Sequence, residues 1–238
     1  MRTAFVLAAT ALVIACSGPS KSTTTTTTSS SAAVSGETPV PDQPAAPAAI
    51  ALAIVFNGQE IWIGNEDHES EPETQYTGAL KGLRAALAAE PPARALPAGS
   101  QAVVISYSAG AAIRAPLGPI EALTPDALGT QIDYRARIGL DLVQGVQLGL
   151  SELAKAAAPR KVLVVIGDGN DTNLDTARAS LEALKQSTSV EIYALVYKSP
   201  LSADGEAIRA LTPNVVVIGS TDGFRAALAD LWRRVAGR

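Results

Sequence analysis

From position 49 onward, short β-branched runs alternate with stretches of helical period. Ala49 to Phe56 holds Ile, Val and Leu without a turn residue and ends at Asn57-Gly58, the pattern of a buried central strand entering a tight turn. Gln75 to Ala89 places Leu80, Leu83, Ala86 and Leu87 on one side and stops at Pro91-Pro92, which predicts a helix. Ala102 to Tyr107 and Ala112 to Leu117 read as two further strands. Ser108-Ala109-Gly110 between them is too short for a crossover helix, so this pair is predicted to be antiparallel. Asp141 to Ala157 follows as a helix with Asp141 as its capping candidate, and Lys161 to Ile166 is a buried strand opening onto Gly167-Asp168-Gly169. Asn173 to Gln186, Val190 to Tyr197, Ser202 to Leu211, Asn214 to Ile218 and Asp222 to Val235 continue the alternation of helix and strand. The pattern predicts an α/β domain: a three-layer, doubly wound, mostly parallel sheet with one antiparallel edge strand. Ligands in such sheets sit beyond the carboxyl ends of the strands, which directs attention to Asn57, Asp168 and Ser199.

Upstream of this domain the pattern changes twice. Arg2 and the uncharged, mostly apolar run Ala4 to Ala15 read as a processing segment, too short to remain as a membrane-spanning helix. Lys21 to Ala48 contains Thr23 to Thr28, then serines, then a Pro/Ala-rich piece, and such a stretch buries too little apolar surface to offset its ordering entropy. It reads as a tether, which as a flexible chain would hold a domain about 30 Å from its anchor point. The expected organisation is therefore a leader over 1–15, an anchor and tether over 16–48, and one domain over 49–238.

Cys16 is the only cysteine, so the mature chain has no internal disulfide. A lone cysteine closing an apolar helix is ordinarily a buried core residue, but polar sequence begins at Ser17 and offers it no core to join. The net charge is −4 and no Lys/Arg cluster forms a stripe, which argues against a nucleic-acid partner.

Two resemblances add to this reading. Val13-Ile14-Ala15-Cys16 after the apolar leader resembles the lipobox of bacterial lipoproteins. It implies cleavage before Cys16, lipidation of that residue with palmitate among the acyl chains, and attachment to the membrane. Ser17 at the next position resembles the sorting pattern for the bacterial outer membrane. The order of elements, the antiparallel third strand and three local stretches resemble a von Willebrand factor type A domain, a Rossmann-like layout. Those stretches are the strand entering Asn57-Gly58-Gln59-Glu60-Ile61, the segment from Gly139 to Val146, and the run from Arg160 through Gly169.

Domains of that family bind a divalent cation through an Asp-x-Ser-x-Ser motif, a Thr before the middle helix and an Asp after the fourth strand. The resemblance places Asn57 at the Asp position, Gln59 and Ile61 at the Ser positions, Leu140 at the Thr position, and Asp168 at the last. Hard cations such as Mg²⁺ or Mn²⁺ want oxygen ligands and carboxylate charge. Ile61 and Leu140 supply neither, and Asn57 coordinates without charge. The expectation is a degenerate site with no cofactor; the alternative is a cation held by Asp168, Asn57, Gln59 and the nearby acids Glu60, Glu66, Asp67 and Asp171. Thr130 replaces the missing Thr only if its loop folds back.

Without a metal, Asp168 is expected to cap the following helix or to accept backbone N–H groups in its glycine turn, with Asp171 and Asn173 as further caps. His68, the sole histidine, lies in an acidic loop and reads as solvated surface, and Trp62 beside it packs on the core edge or anchors a partner. Ser108 is not in a nucleophile elbow, and no glycine pattern marks a nucleotide site. The reading is a non-enzymatic envelope lipoprotein that binds or scaffolds an envelope or extracellular protein. Its rival is a cation-dependent adhesion domain.

Overall fold

The structure, a computed structural model, describes residues 47–58, 78–129, 141–169, 171–197, 205–220 and 222–237. Cys16, the leader and the tether lie outside these residues, as do Gln59, Glu60, Ile61, Trp62, His68, Thr130, Leu140 and Ser199. The chain divides into two units, and all the described residues belong to the second, Ala45–Arg238.

Strand β1 (Ile50–Asn57) is buried along its whole length, as its unbroken apolar run requires. It pairs in parallel with β2 (Gln101–Tyr107) on one side and β4 (Arg160–Gly167) on the other. β5 (Glu191–Tyr197) and β6 (Val215–Ile218) extend the sheet in parallel beyond β4, and β3 (Ala111–Pro119) closes the opposite edge, antiparallel to β2. The order is β3-β2-β1-β4-β5-β6. The sheet and its one antiparallel edge strand agree with the pattern in the sequence. Asn57 differs from expectation in one respect: it is the last paired residue of β1, opposite Tyr107, and the Gly58 N–H still donates to the Tyr107 carbonyl at 2.8 Å.

Alternate side chains of β1 separate two cores. Ile50, Leu52, Ile54 and Phe56 pack with α1 (Gly78–Ala89) and α5 (Gly223–Val235), whereas Ala51, Ala53 and Val55 pack with α2 (Leu142–Lys155), α3 (Leu174–Ser187) and α4 (Glu206–Leu211). The indole N–H of Trp232 in α5 donates to the carbonyl of Glu90 just after α1, at 2.9 Å, joining the two helices of the first layer. Helix α4 is shorter than the sequence pattern suggested, because Gly205 adopts φ +72° and the helix starts only after it.

Two glycines bring α2 against the sheet. A Cβ on Gly145 would lie 2.9 Å from Cβ of Tyr107, and one on Gly149 would lie 2.8 Å from Cδ1 of Leu163 and 2.9 Å from Cγ2 of Val55. Four residues apart, they share one helix face. Their missing side chains, with Ala51 and Ala53 beneath, let the helix approach closely and fix where its N-terminus stands relative to the strand tips.

Candidate functional site

The connections of the sheet change direction between its two central strands. The chain passes from β1 to β2 on one side and from β4 to β5 on the other, so the adjacent tips of β1 and β4 bound a crevice. Asn57 ends β1, and Asp168 follows Gly167 at the end of β4. The Asn57 side-chain amide donates to Oδ1 of Asp168 at 3.3 Å, with the two residues only 5% and 1% exposed. The two family-derived positions that fall among the described residues are thus brought together.

Each neighbouring strand adds a tyrosine at the same level. Tyr107 stands beside Asn57 in register, and a Cβ on Gly167 would lie 2.2 Å from its hydroxyl oxygen, so only glycine leaves room there. Gly167 is paired with Val196, which places Tyr197, one residue on, beside Asp168. Both hydroxyls are buried and have no hydrogen-bond partner among the described residues. Burial, and then the negative charge of Asp168, push both phenols well above the ordinary tyrosine range, and Asp171 adds to the effect on Tyr107.

Above this buried layer the N-termini of α2 and α3 form a rim. Asp141 caps α2, its Oδ1 accepting the Gln144 N–H at 2.8 Å, while its own N–H donates to the Ser108 carbonyl at 2.7 Å. The Gln144 side chain in turn accepts the Ala111 N–H at 2.6 Å, tying the first turn of α2 to the start of β3. Asn173 caps α3 by accepting the Thr176 N–H at 3.2 Å. Asp171 joins the two helices: one carboxylate oxygen accepts the Leu142 N–H at 3.0 Å and the other the Asn173 N–H at 3.1 Å. Carboxylates at these positions complement the positive ends of both helix dipoles. Between them lies an open cleft of about 310 Å³, bordered by Ala109, Asp141, Val143, Asp171, Asn173 and Thr176.

Asn173 caps α3, as the sequence led one to expect, so of the two roles read for Asp168 helix capping is the one it does not fill; its carboxylate receives the Asn57 amide below the rim. Asp141 does cap α2 as its place in the sequence implied. The sequence reading missed Tyr107 and Tyr197, whose signal was a tyrosine at the end of each strand flanking β1 and β4. It also missed Gly145 and Gly149, whose signal was their four-residue spacing.

Chemically, the described residues offer one buried carboxylate and one amide at the crevice, with two more carboxylates at the rim occupied by backbone N–H groups. Among the described residues no three of His, Cys, Asp and Glu gather in a metal-binding group. A divalent cation seated between Asn57 and Asp168 would find one carboxylate and one neutral amide among the described residues, whereas hard cations take about six oxygens and favour carboxylate charge. The described donors therefore fit such an ion poorly.

No protein-family model and no characterised protein sequence matches the chain. Solved structures do resemble it. The minor pilin PilB from Streptococcus sanguinis superposes with a TM-score of 0.64 at 10% identity over 82% of this chain, which spans 63% of the pilin's length. The von Willebrand factor domain of a type V pili tip protein from Porphyromonas gingivalis gives 0.57 at 9% identity, covering 80% of this chain and 96% of that domain. Proximal thread matrix protein 1 from the mussel byssus, with zinc in its metal-ion-dependent adhesion motif, gives 0.57 at 15% identity, covering 80% of this chain and 46% of that one. At these identities the likeness is one of fold, and the fold is that of von Willebrand factor type A domains.

Proposed function

We propose that this chain is a non-enzymatic binding or scaffolding module of the bacterial cell envelope, anchored through a lipidated Cys16 and presenting the α2/α3 rim to a protein partner. The observation that carries this reading is the way the polar groups at the strand tips are used. Asp168 receives Asn57, while Asp141 and Asp171 are engaged by the helix N-termini. Such an arrangement serves shape and rigidity better than acid–base or nucleophilic chemistry, which needs a group positioned to exchange protons with a substrate. The pilin, the pili tip domain and the byssus matrix protein have similar folds, and each is by its name part of a surface or matrix structure. In this reading the cation site is degenerate, the Thr/Ser/Pro/Ala-rich segment is a tether, and the lipid end resides in the outer membrane.

A second reading, cation-dependent adhesion, is favoured by Asp168 itself and by the zinc-bearing motif of the byssus protein. A photo-crosslinking amino acid at Val143, beside the cleft, and another at Arg233 on α5 separate these possibilities in intact cells. The binding-module reading expects adducts from position 143 in the presence and absence of chelator, and none from position 233. Adducts lost on chelation favour the second reading, and none from either position contradicts both. Mass spectrometry of the membrane fraction tests the anchor, and an unmodified Cys16 in the mature protein would contradict it.

A further inference from the structure

The rim and the Asn57–Asp168 pair leave two groups unexplained, the hydroxyls of Tyr107 and Tyr197. Each belongs to a residue at most 2% exposed, and neither hydroxyl has a hydrogen-bond partner among the described residues. They reach the tip of β4 from opposite sides of the sheet. Tyr107 packs in the core beneath α2, whereas Tyr197 packs in the core beneath α5, where its ring lies 6.1 Å from that of Phe224. Both therefore flank the short segment Gly167–Asp168 rather than facing each other.

We propose that the tip of β4 is a binding site for ordered water. One molecule on each side of Gly167–Asp168 accepts the proton of a tyrosine hydroxyl, Tyr107 from the α2 face and Tyr197 from the α5 face, and donates to the Asp168 carboxylate.

Three physical arguments lead to water. A buried hydroxyl with no partner costs about 1–3 kcal/mol, and a pair of them at one strand end is too expensive to leave without function or ligand. The surroundings are polar enough to hold water, since Asn57, Asp168 and Ser108 are all buried at the same end of the sheet. A carboxylate offers about four acceptor positions and so can serve several donors at once. Water also matches the polarity of both ends better than a cation does. The phenols stay protonated, held so by burial and by the charge of Asp168, and each therefore has a proton to donate to a water. Linked in this way, Tyr107, Asn57, Asp168 and Tyr197 form a continuous hydrogen-bonded floor across four adjacent strands below the rim.

The test compares the full chain with Tyr107→Phe and Tyr197→Phe, both of which keep the ring and its packing. If each hydroxyl is bridged by water, each substitution lowers the melting temperature by about 2–4 °C, the shift that one lost hydrogen bond gives a domain of this size. If either hydroxyl is an orphan, its replacement leaves the melting temperature unchanged or raises it, which overturns the proposal on that side. Water-to-amide cross-relaxation measured by NMR gives an independent reading on the wild type: long-lived water beside the Asp168 and Gly169 amides is expected, and its absence overturns the site. A third arm exchanges Na⁺ for choline at constant ionic strength. No change is expected, and stabilisation by Na⁺ that Tyr107→Phe abolishes would assign the site to a cation instead.

Discussion

The amide of Asn57 and the carboxylate of Asp168, 111 residues apart in the chain, lie 3.3 Å apart where β1 and β4 end side by side. The hydrogen bond is made in near-complete burial, and its loss leaves a buried polar group with less to bond. Asp168→Ala is expected to cost about 1–3 kcal/mol of stability, measured by chemical denaturation, through the lost buried hydrogen bond to Asn57 rather than through a lost helix cap.

Asn57→Asp replaces the donor with a second carboxylate. Two buried carboxylates within hydrogen-bonding distance repel when both are ionised, so the variant is expected to be less stable at neutral pH and to recover as pH falls and one of them takes up a proton. It is also expected to gain stabilisation by Mg²⁺ that the wild type lacks, because two carboxylates supply the charge that one carboxylate and an amide do not. Thermal melts across pH, with and without Mg²⁺, check both statements; an Asn57→Asp variant as stable as wild type at pH 7 would show that the two side chains do not interact as described.

Gly145→Ala tests the close approach of α2. At an exposed helix position the change gains up to about 1 kcal/mol of helix propensity. Here the added Cβ would meet Cβ of Tyr107 at 2.9 Å, an atom fixed to the backbone of β2, and Cγ1 of Val55 at 3.1 Å. Overpacking of this kind costs about 1–3 kcal/mol and outweighs the propensity gain, so a net loss is expected in equilibrium unfolding. A stabilised variant would mean that α2 shifts freely and does not fix the rim.

Much of this arrangement is legible in the chain. β1 declares itself by the apolar run Ala49 to Phe56, eight residues without a turn former, and the antiparallel course of β3 follows from the brevity of Ser108-Ala109-Gly110. The cap at Asp141 is legible too, since a short acidic residue stands just before the apolar period of α2. The role of Asp168 was not, because its partner is distant in sequence and belongs to another strand. A Gly-Asp-Gly turn before a helix resembles a capping arrangement locally, and only the register of β1 on β4 shows which group reaches the carboxylate. Tyr107 and Tyr197 were equally hidden: an aromatic residue at a strand end reads as core, and nothing local reveals that its hydroxyl is buried.

At the opposite end of the sheet, Arg160 at the start of β4 grips Glu191 at the start of β5 with two hydrogen bonds of 2.5 and 2.6 Å, and also donates to the carbonyl of Val235. The hydrogen bonds from Arg160 hold the Glu191 carboxyl below its usual range. A carboxyl depressed on folding stabilises above its unfolded value, near 4.5, and loses that contribution as pH falls through its lowered folded value. Both partners are partly exposed, so solvent screening keeps the effect small. Glu191→Gln is therefore expected to flatten the acid limb of stability below about pH 4.5, and an unchanged acid limb would contradict the pairing.

Alkali acts on the other end. A phenol whose folded value is raised binds its proton more tightly in the native state, so stability is expected to decline as pH rises above the unfolded tyrosine value near 10. Ultraviolet titration should show Tyr107 and Tyr197, two of the five tyrosines, ionising only with unfolding. If all five ionise in the folded protein, the buried layer is not closed to solvent.

The proposed function requires the strand-tip site to work without a divalent cation. The most direct test of that requirement is calorimetric titration of the purified chain with Mg²⁺ and then Mn²⁺, repeated on Asp168→Ala. No saturable binding tighter than about millimolar is expected, and chelator should leave the melting temperature of the wild type unchanged. Micromolar binding that disappears in Asp168→Ala would contradict the account and make the domain a cation-dependent adhesin.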